Sequence, residues 1–288
     1  MPLVSTGELV SAAAADGRGI AAFNVITLEH AEAIAAGAEQ AGEPAILQIS
    51  ENAVKFHGGQ VSAIAAAAAA VAQASSAQLA LHLDHVVSVR LLRSADDEGF
   101  SSVMFDASKL PYDENVRATA DAVRWGHERG IWIEAELGKV GGKEGEAPLD
   151  AHAPGVRTDP AEAAAYVAAT GVDALAVAVG SSHAMTERTA ALDHALVAHL
   201  RDAVPVPLVL HGSSGVPDEE IRRAVASGMV KINVGTALNT AFTAAVRAFL
   251  ETDPQSVDPR KYLAPAREAM AGTVAGFLQT ISLRTISG

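Results

Sequence analysis

Three of the ten histidines in this chain, His85, His183 and His211, each follow or end a short apolar run. Neutral imidazole is a good ligand for zinc, and three protein ligands leave a coordination position open for a substrate. Acids stand near these positions: Asp84 beside His85, then Asp106, Glu134 and Glu136 at the ends of neighbouring runs. The stretch LALHLDH (79–85) carries the question most sharply. It begins like a buried strand and ends in His82, Asp84 and His85, although buried polar groups are costly unless paired or bound to something. Either neighbours satisfy them, or the strand delivers them to a pocket. His82 reads as a core histidine or as support for the groups beyond it. The other histidines suggest less. His30, His127, His194 and His199 fall on expected helices, on solvated or half-buried faces, while His57 and His152 fall in loops. There is no HExxH pattern, since His127-Glu128 lacks a second histidine at the required spacing.

A second chemistry lies in two glycine-containing turns, HGSSG (211–215) and NVGTA (233–237). Backbone N–H groups of such turns, followed by a helix N-terminus, can converge on an anion. For either turn alone, glycine that merely permits a tight strand-to-helix connection explains as much. Two adjacent turns, one opening on a candidate metal ligand, favour a phosphate site. Lys231 has two readings: a covalent Schiff-base nucleophile, or a buried cation paired with a strand-end carboxylate.

These groups need elements to place them. Eight apolar, β-branched runs recur: 20–25, 44–50, 78–84, 101–106, 131–137, 174–180, 207–212 and 230–235. Their near-continuous apolar character suggests parallel strands covered on both faces. Helix-patterned segments lie between them at 28–41, 62–75, 113–129, 159–169, 192–203, 217–226 and 237–250. The rhythm predicts a single (β/α)8 TIM barrel over residues 1–288, with an additional helix at each terminus. A doubly wound open sheet is the alternative, but no GxGxxG follows the first strand. In such barrels chemistry sits at the C-terminal strand ends. Those ends carry Asn24, Gln48 with Ser50, Asp84 with His85, Asp106, Glu134 with Glu136, Gly180 leading to His183, His211-Gly212, and Asn233 to Thr236.

Composition narrows the partners. A net charge of −13 disfavours nucleic acid, although a phosphate pocket can still be built locally. With no cysteine the chain has no disulfide and no thiolate metal site. The N-terminus lacks a basic region followed by an apolar core, and no apolar run reaches the ~18 residues of a membrane span. The expectation is a soluble, cytoplasmic protein with a small-molecule substrate, and neither nucleic acid nor membrane as partner.

With these residues in place, the sequence resembles the class II, metal-dependent ketose-bisphosphate aldolases over essentially its full length. In particular it is similar to the shorter branch that includes tagatose-bisphosphate and many bacterial fructose-bisphosphate aldolases. The resemblance is carried by AFNV (22–25), HLDH (82–85), SVMFDAS (102–108), EAELGKVGG (134–142), LVLHGSSG (208–215), KINVGTAL (231–238) and DPRKYL (258–263). It implies Zn2+ or another divalent metal on His85, His183 and His211, and a monovalent cation near the phosphate site. Asp84 would be the acid–base residue, and Glu144, in the long loop 138–157, a carboxylate on a closing loop. Gly212, Ser213, Ser214, Asn233, Val234, Gly235 and Thr236 would hold the dihydroxyacetone-phosphate part, with Asn24, Ser50 and Ala184 also toward the substrate. Asp106 and Glu136 would line the metal's surroundings, and the assembly would be a homodimer or homotetramer. Two positions depart from the family pattern. Ala184 stands where glycine is usual, and Gly235 where fructose enzymes often carry Asp and tagatose enzymes Ala. Arg188 could replace a cation lost near Ala184, and Arg260 and Arg267 are either distal-phosphate ligands or ordinary surface arginines.

Overall fold

A computed structural model describes residues 3–138, 140–141 and 155–283. Its strands are β1 (Ile20–Asn24), β2 (Ala45–Ser50), β3 (Leu79–Val86), β4 (Ser102–Phe105), β5 (Trp132–Leu137), β6 (Ala174–Val177), β7 (Leu208–Leu210) and β8 (Met229–Val234). Each pairs in parallel with the next, and β8 pairs with β1, so the sheet closes into the expected eight-stranded barrel. β6 and β7 stop short of the apolar runs 174–180 and 207–212. The chain beyond them leaves the ladder to build the rim.

Side-chain alternation sorts every strand into two faces. Leu79, Leu81 and Leu83 of β3 and Ile133, Ala135 and Leu137 of β5 point outward into the large core beneath the helices. Their alternates, Ala80, His82 and Asp84 on β3 and Glu134 and Glu136 on β5, are buried outside that core, in the lumen. The lumen is layered along its axis. At the N-terminal end Ile20, Ala22, Ile46, Ala80 and Val230 pack against Leu9, Val10 and Ala13. Those three belong to α1 (Thr6–Ala15), whose Ser5 and Glu8 form a reciprocal capping box. The predicted N-terminal helix is therefore a stopper in the barrel floor. Above this apolar layer the lumen turns polar.

The outer ring comprises α2 (Leu28–Ala41), α3 (Glu51–Phe56), α4 (Ser62–Ala74), α5 (Val89–Ser94), α6 (Tyr112–His127), α7 (Pro160–Thr170), α8 (His194–Ala203), α9 (Asp218–Ser227), α10 (Thr236–Thr252) and the C-terminal α11 (Pro259–Ile281). The sequence pattern does not predict α3 or α5, because six residues are too few to display a helical period. α11 lies against α2, and the close approach requires Gly37: a Cβ there would stand 2.6 Å from the Ala271 carbonyl oxygen. His30 also departs from expectation. It is buried, stacked on Phe242, and held by Thr27 and Asn239, and burial pulls its pKa down. Among the described residues no helix is long and apolar enough to cross a membrane.

Candidate active site

Asp84 and His85 sit where the β3–β4 ladder slips register between Leu83 and Val86. A bulge of this kind re-aims side chains at a barrel rim. It leaves His85 with φ of +50°, an uncommon conformation for a non-glycine residue. The His85 ring thereby turns toward His183, in the loop after β6, and His211, just beyond β7. Ring centroids are 5.2 Å apart for His85–His183, 4.8 Å for His85–His211 and 5.8 Å for His183–His211. One ligand nitrogen from each lies within 4.8 Å of the others. The structure thus brings together the three histidines selected from the strand ends.

Carboxylates orient two of these rings, those of His85 and His211. Asp106 Oδ2 lies 3.4 Å from His85 Nδ1. His211 is fully buried and has an acid on each nitrogen, Glu136 Oε2 at 2.8 Å from Nδ1 and Glu134 Oε1 at 3.0 Å from Nε2. Burial alone would push the His211 pKa down, but these two hydrogen bonds and their charges outweigh it and lift it to about 9. Three convergent imidazoles, two of them backed by carboxylates, suit a divalent ion, which would take a proton's place on His211. Glu134 is a lumen residue whose partners sequence reasoning left unassigned. Its alternation with Glu136 on one strand was the available signal.

Asp84 is buried beneath the rings. Burial opposes its ionisation, yet the surrounding His85, His82, His211 and Lys231 together hold its pKa below the usual value. His82 lies one inward position lower, its Nε2 3.8 Å from Asp84 Oδ1. The Ser102 hydroxyl donates to Thr6 Oγ1 at 2.7 Å, so it accepts from His82 Nδ1 at 2.7 Å. Lys231, fully buried on β8, has its Nζ 2.8 Å from Glu134 Oε2 and 2.7 Å from Asn233 Oδ1. It therefore has the carboxylate partner that the second of its two readings requires.

Beside the histidines the turns after β7 and β8 form a cradle. Gly212 has φ of +68°, and a Cβ there would lie 2.5 Å from the Ser182 backbone, so only glycine fits. Ser213–Gly215 form a 3₁₀ turn, the Ser213 hydroxyl donates to the Asn233 carbonyl, and Ser214 Oγ accepts the Ala237 N–H at 3.1 Å. Gly235 N-caps α10, which starts at Thr236, and a side chain at 235 would meet Asn24 at 3.0 Å. The Val234 side chain is in the outer core, so this residue can present only backbone to the site. Ala184 has φ of +57°, the left-handed conformation that explains the family's preference for glycine. Ser50 has its hydroxyl on the Ala53 N–H at 3.1 Å, as the cap of α3. Asn24 accepts from Gln48 Nε2. Arg188 donates to the Val216 carbonyl, pairs with Asp218 at 2.5 Å and lies over Phe277. Arg260 pairs with Asp258 at 2.7 Å and Arg267 with Glu32 at 2.5 Å. Glu144 and His152 lie outside the described residues.

Comparison with known proteins agrees with this geometry. Residues 4–283 match the model of the family described as fructose-bisphosphate aldolase class-II. The fructose-bisphosphate aldolase of Geobacillus stearothermophilus is 41% identical over 277 residues, 96% of each chain. That of Staphylococcus aureus strain Mu50 is 38% identical over 277 residues, again 96% of each. Among solved structures, the YdjI aldolase from Escherichia coli K12 superposes with a TM-score of 0.83 at 32% identity, covering 97% of both chains. With the family model spanning nearly all of the sequence and the strand-end residues assembled as described, this chain belongs to the class II fructose-bisphosphate aldolase family.

Proposed function

We propose that this protein catalyses the reversible aldol cleavage of a ketose 1,6-bisphosphate, of fructose or tagatose type, to dihydroxyacetone phosphate and glyceraldehyde 3-phosphate. The observation that carries this reading is the convergence of His85, His183 and His211 beside the buried carboxylate of Asp84, whose Oδ2 lies 4.0 Å from His85 Nε2. The three imidazoles would hold Zn2+. When bound, such an ion supplies Lewis-acid stabilisation of the negative charge that develops on the three-carbon fragment. Asp84 takes the C4 hydroxyl proton in cleavage and returns it in condensation. The backbone N–H groups at Gly212, Ser213 and Ser214, with those from Asn233 to Thr236 and that of Ala184, hold the phosphate of the same fragment. Asp106 and Glu136 keep His85 and His211 in place, and Glu144 moves the C3 proton of dihydroxyacetone phosphate. On this reading the whole chain works as one domain, in a cytoplasmic homodimer or homotetramer of carbohydrate metabolism.

The test is a coupled assay for dihydroxyacetone phosphate release from fructose, tagatose and sorbose bisphosphates, with and without chelator. Release from the fructose or tagatose substrate, lost on chelation and restored by Zn2+, is expected. Asp84→Ala should keep its metal and lose roughly 100- to 10,000-fold in kcat. Near-normal turnover in that variant removes Asp84 from the mechanism. Chelator-insensitive cleavage with a borohydride-trapped adduct on Lys231 would overturn the metal reading.

A further inference from the structure

Lys231 and Asn233 occupy successive inward positions on β8, and both are buried. Lys231 Nζ lies 2.7 Å from Asn233 Oδ1 and 2.8 Å from Glu134 Oε2. On the other side of the Asn233 amide, Nδ2 lies 3.5 Å from Asp84 Oδ1. An ammonium group can only donate hydrogen bonds, and an ionised carboxylate can only accept them. The amide between them consequently has one favourable orientation. Turned over, its NH2 would face the lysine donor, and its oxygen would face the Asp84 carboxylate. Both contacts would then be repulsive, among side chains that are all buried.

We propose that Lys231 is a positioning residue for aldol chemistry. It fixes the amide of Asn233 so that its NH2 faces Asp84 and the reacting carbons, while Glu134 balances the lysine charge. The proposal rests on the cleavage reaction assigned above, but its geometric half stands without it. A hydrogen-bond donor turned away from a reaction centre costs about as much as one displaced by an ångström, roughly 100-fold in rate. Lys231 thus has a catalytic consequence without touching the substrate.

The geometric half is tested by neutron diffraction on deuterium-exchanged crystals of the wild-type protein. Two deuterons on the Asn233 side-chain atom facing Asp84, and a Lys231 deuteron directed at the other, are expected. A bare oxygen facing Asp84 overturns the proposal, whether or not any substrate is cleaved. The functional half is tested by a mutant cycle built on Glu134→Gln, so that removing the lysine leaves no uncompensated buried charge. Adding Lys231→Met should lower kcat about 10- to 100-fold, with KM changed less than about threefold and metal content unchanged. Lys231→Gln, which keeps a donor, should recover part of the loss. In an Asn233→Ala background the Lys231→Met step should cost nothing further in kcat. An undiminished loss in that background, or no loss in its presence, overturns the assignment. If the wild-type protein cleaves no ketose bisphosphate, the proposed function fails, and the diffraction result still decides the orientation.

Discussion

His82 and His211 stand in the same lumen, both completely buried, and their protonation is driven in opposite directions. His82 faces a serine hydroxyl below and shares its layer with the Lys231 cation. Burial first, and that cation second, bring its pKa down to about 3. His211 has a carboxylate on each nitrogen, and its pKa rises to about 9. Burial acts on both rings in the same sense, so what separates them is the charge each one faces. One imidazole is kept neutral as a framework piece. The other is held as a cation that a metal ion can replace.

The sharpest way to break this contrast is to remove each ring in turn. His211→Ala should lose the bound ion, and with it roughly 1,000-fold or more in kcat/KM, read by metal analysis and steady-state kinetics. His82→Leu should keep metal stoichiometry and instead lose about 1–3 kcal/mol of stability, because the buried Ser102 oxygen loses the N–H it accepts. If His82→Leu also empties the site, the division of labour between the two rings is wrong.

The pH dependence of stability in chelator-treated protein should show both rings at once. The His82 pKa is depressed, so below pH 6.5 the unfolded chain binds a proton that the native state refuses until about pH 3. Stability should fall on that acid side by up to about 1.4 kcal/mol per pH unit. The His211 pKa is raised, so its contribution is complete below pH 6.5 and is lost as pH climbs to about 9. Denaturant titrations across this range should find that His82→Leu flattens the acid limb and spares the alkaline one. Two unchanged limbs in that variant would refute the assignment. A smaller effect is expected from Glu136→Gln, which weakens the hydrogen bond on His211 Nδ1. It should lower metal affinity about 10- to 100-fold in a competition titration with a chromogenic chelator. The smallest is Ala184→Gly, which relieves a left-handed alanine and should stabilise by about 0.5–1 kcal/mol while leaving both limbs in place. A lower denaturation midpoint would show that Ala184 is not strained.

The cluster of three histidines was legible because strand ends in a parallel barrel all face one rim, and three histidines fell on them. Period two along β3 and β5 likewise told which acids share the lumen with them. The same period along β8 puts Val234 on the outer face, a signal that the turn motif, taken whole, concealed. Contacts between distant small residues were not legible. Ser102 and Thr6 are unremarkable in sequence, and they meet beneath His82 only because α1 enters the floor. Ser50 stood at a strand end like the others, but its hydroxyl caps a helix too short to show a period. Lys231 could be read in two ways until Glu134 and Asn233 were seen on either side of it.

The helix that stoppers the barrel floor has a consequence for traffic. Leu9, Val10 and Ala13 close one end of the lumen with an apolar layer, so among the described residues the lumen opens at the rim. A long sugar phosphate must enter by the rim, be cut there, and send both halves back out the way they came. On the proposed reading the two products share one threshold, and the fragment that the cradle after β7 and β8 would hold harder leaves last.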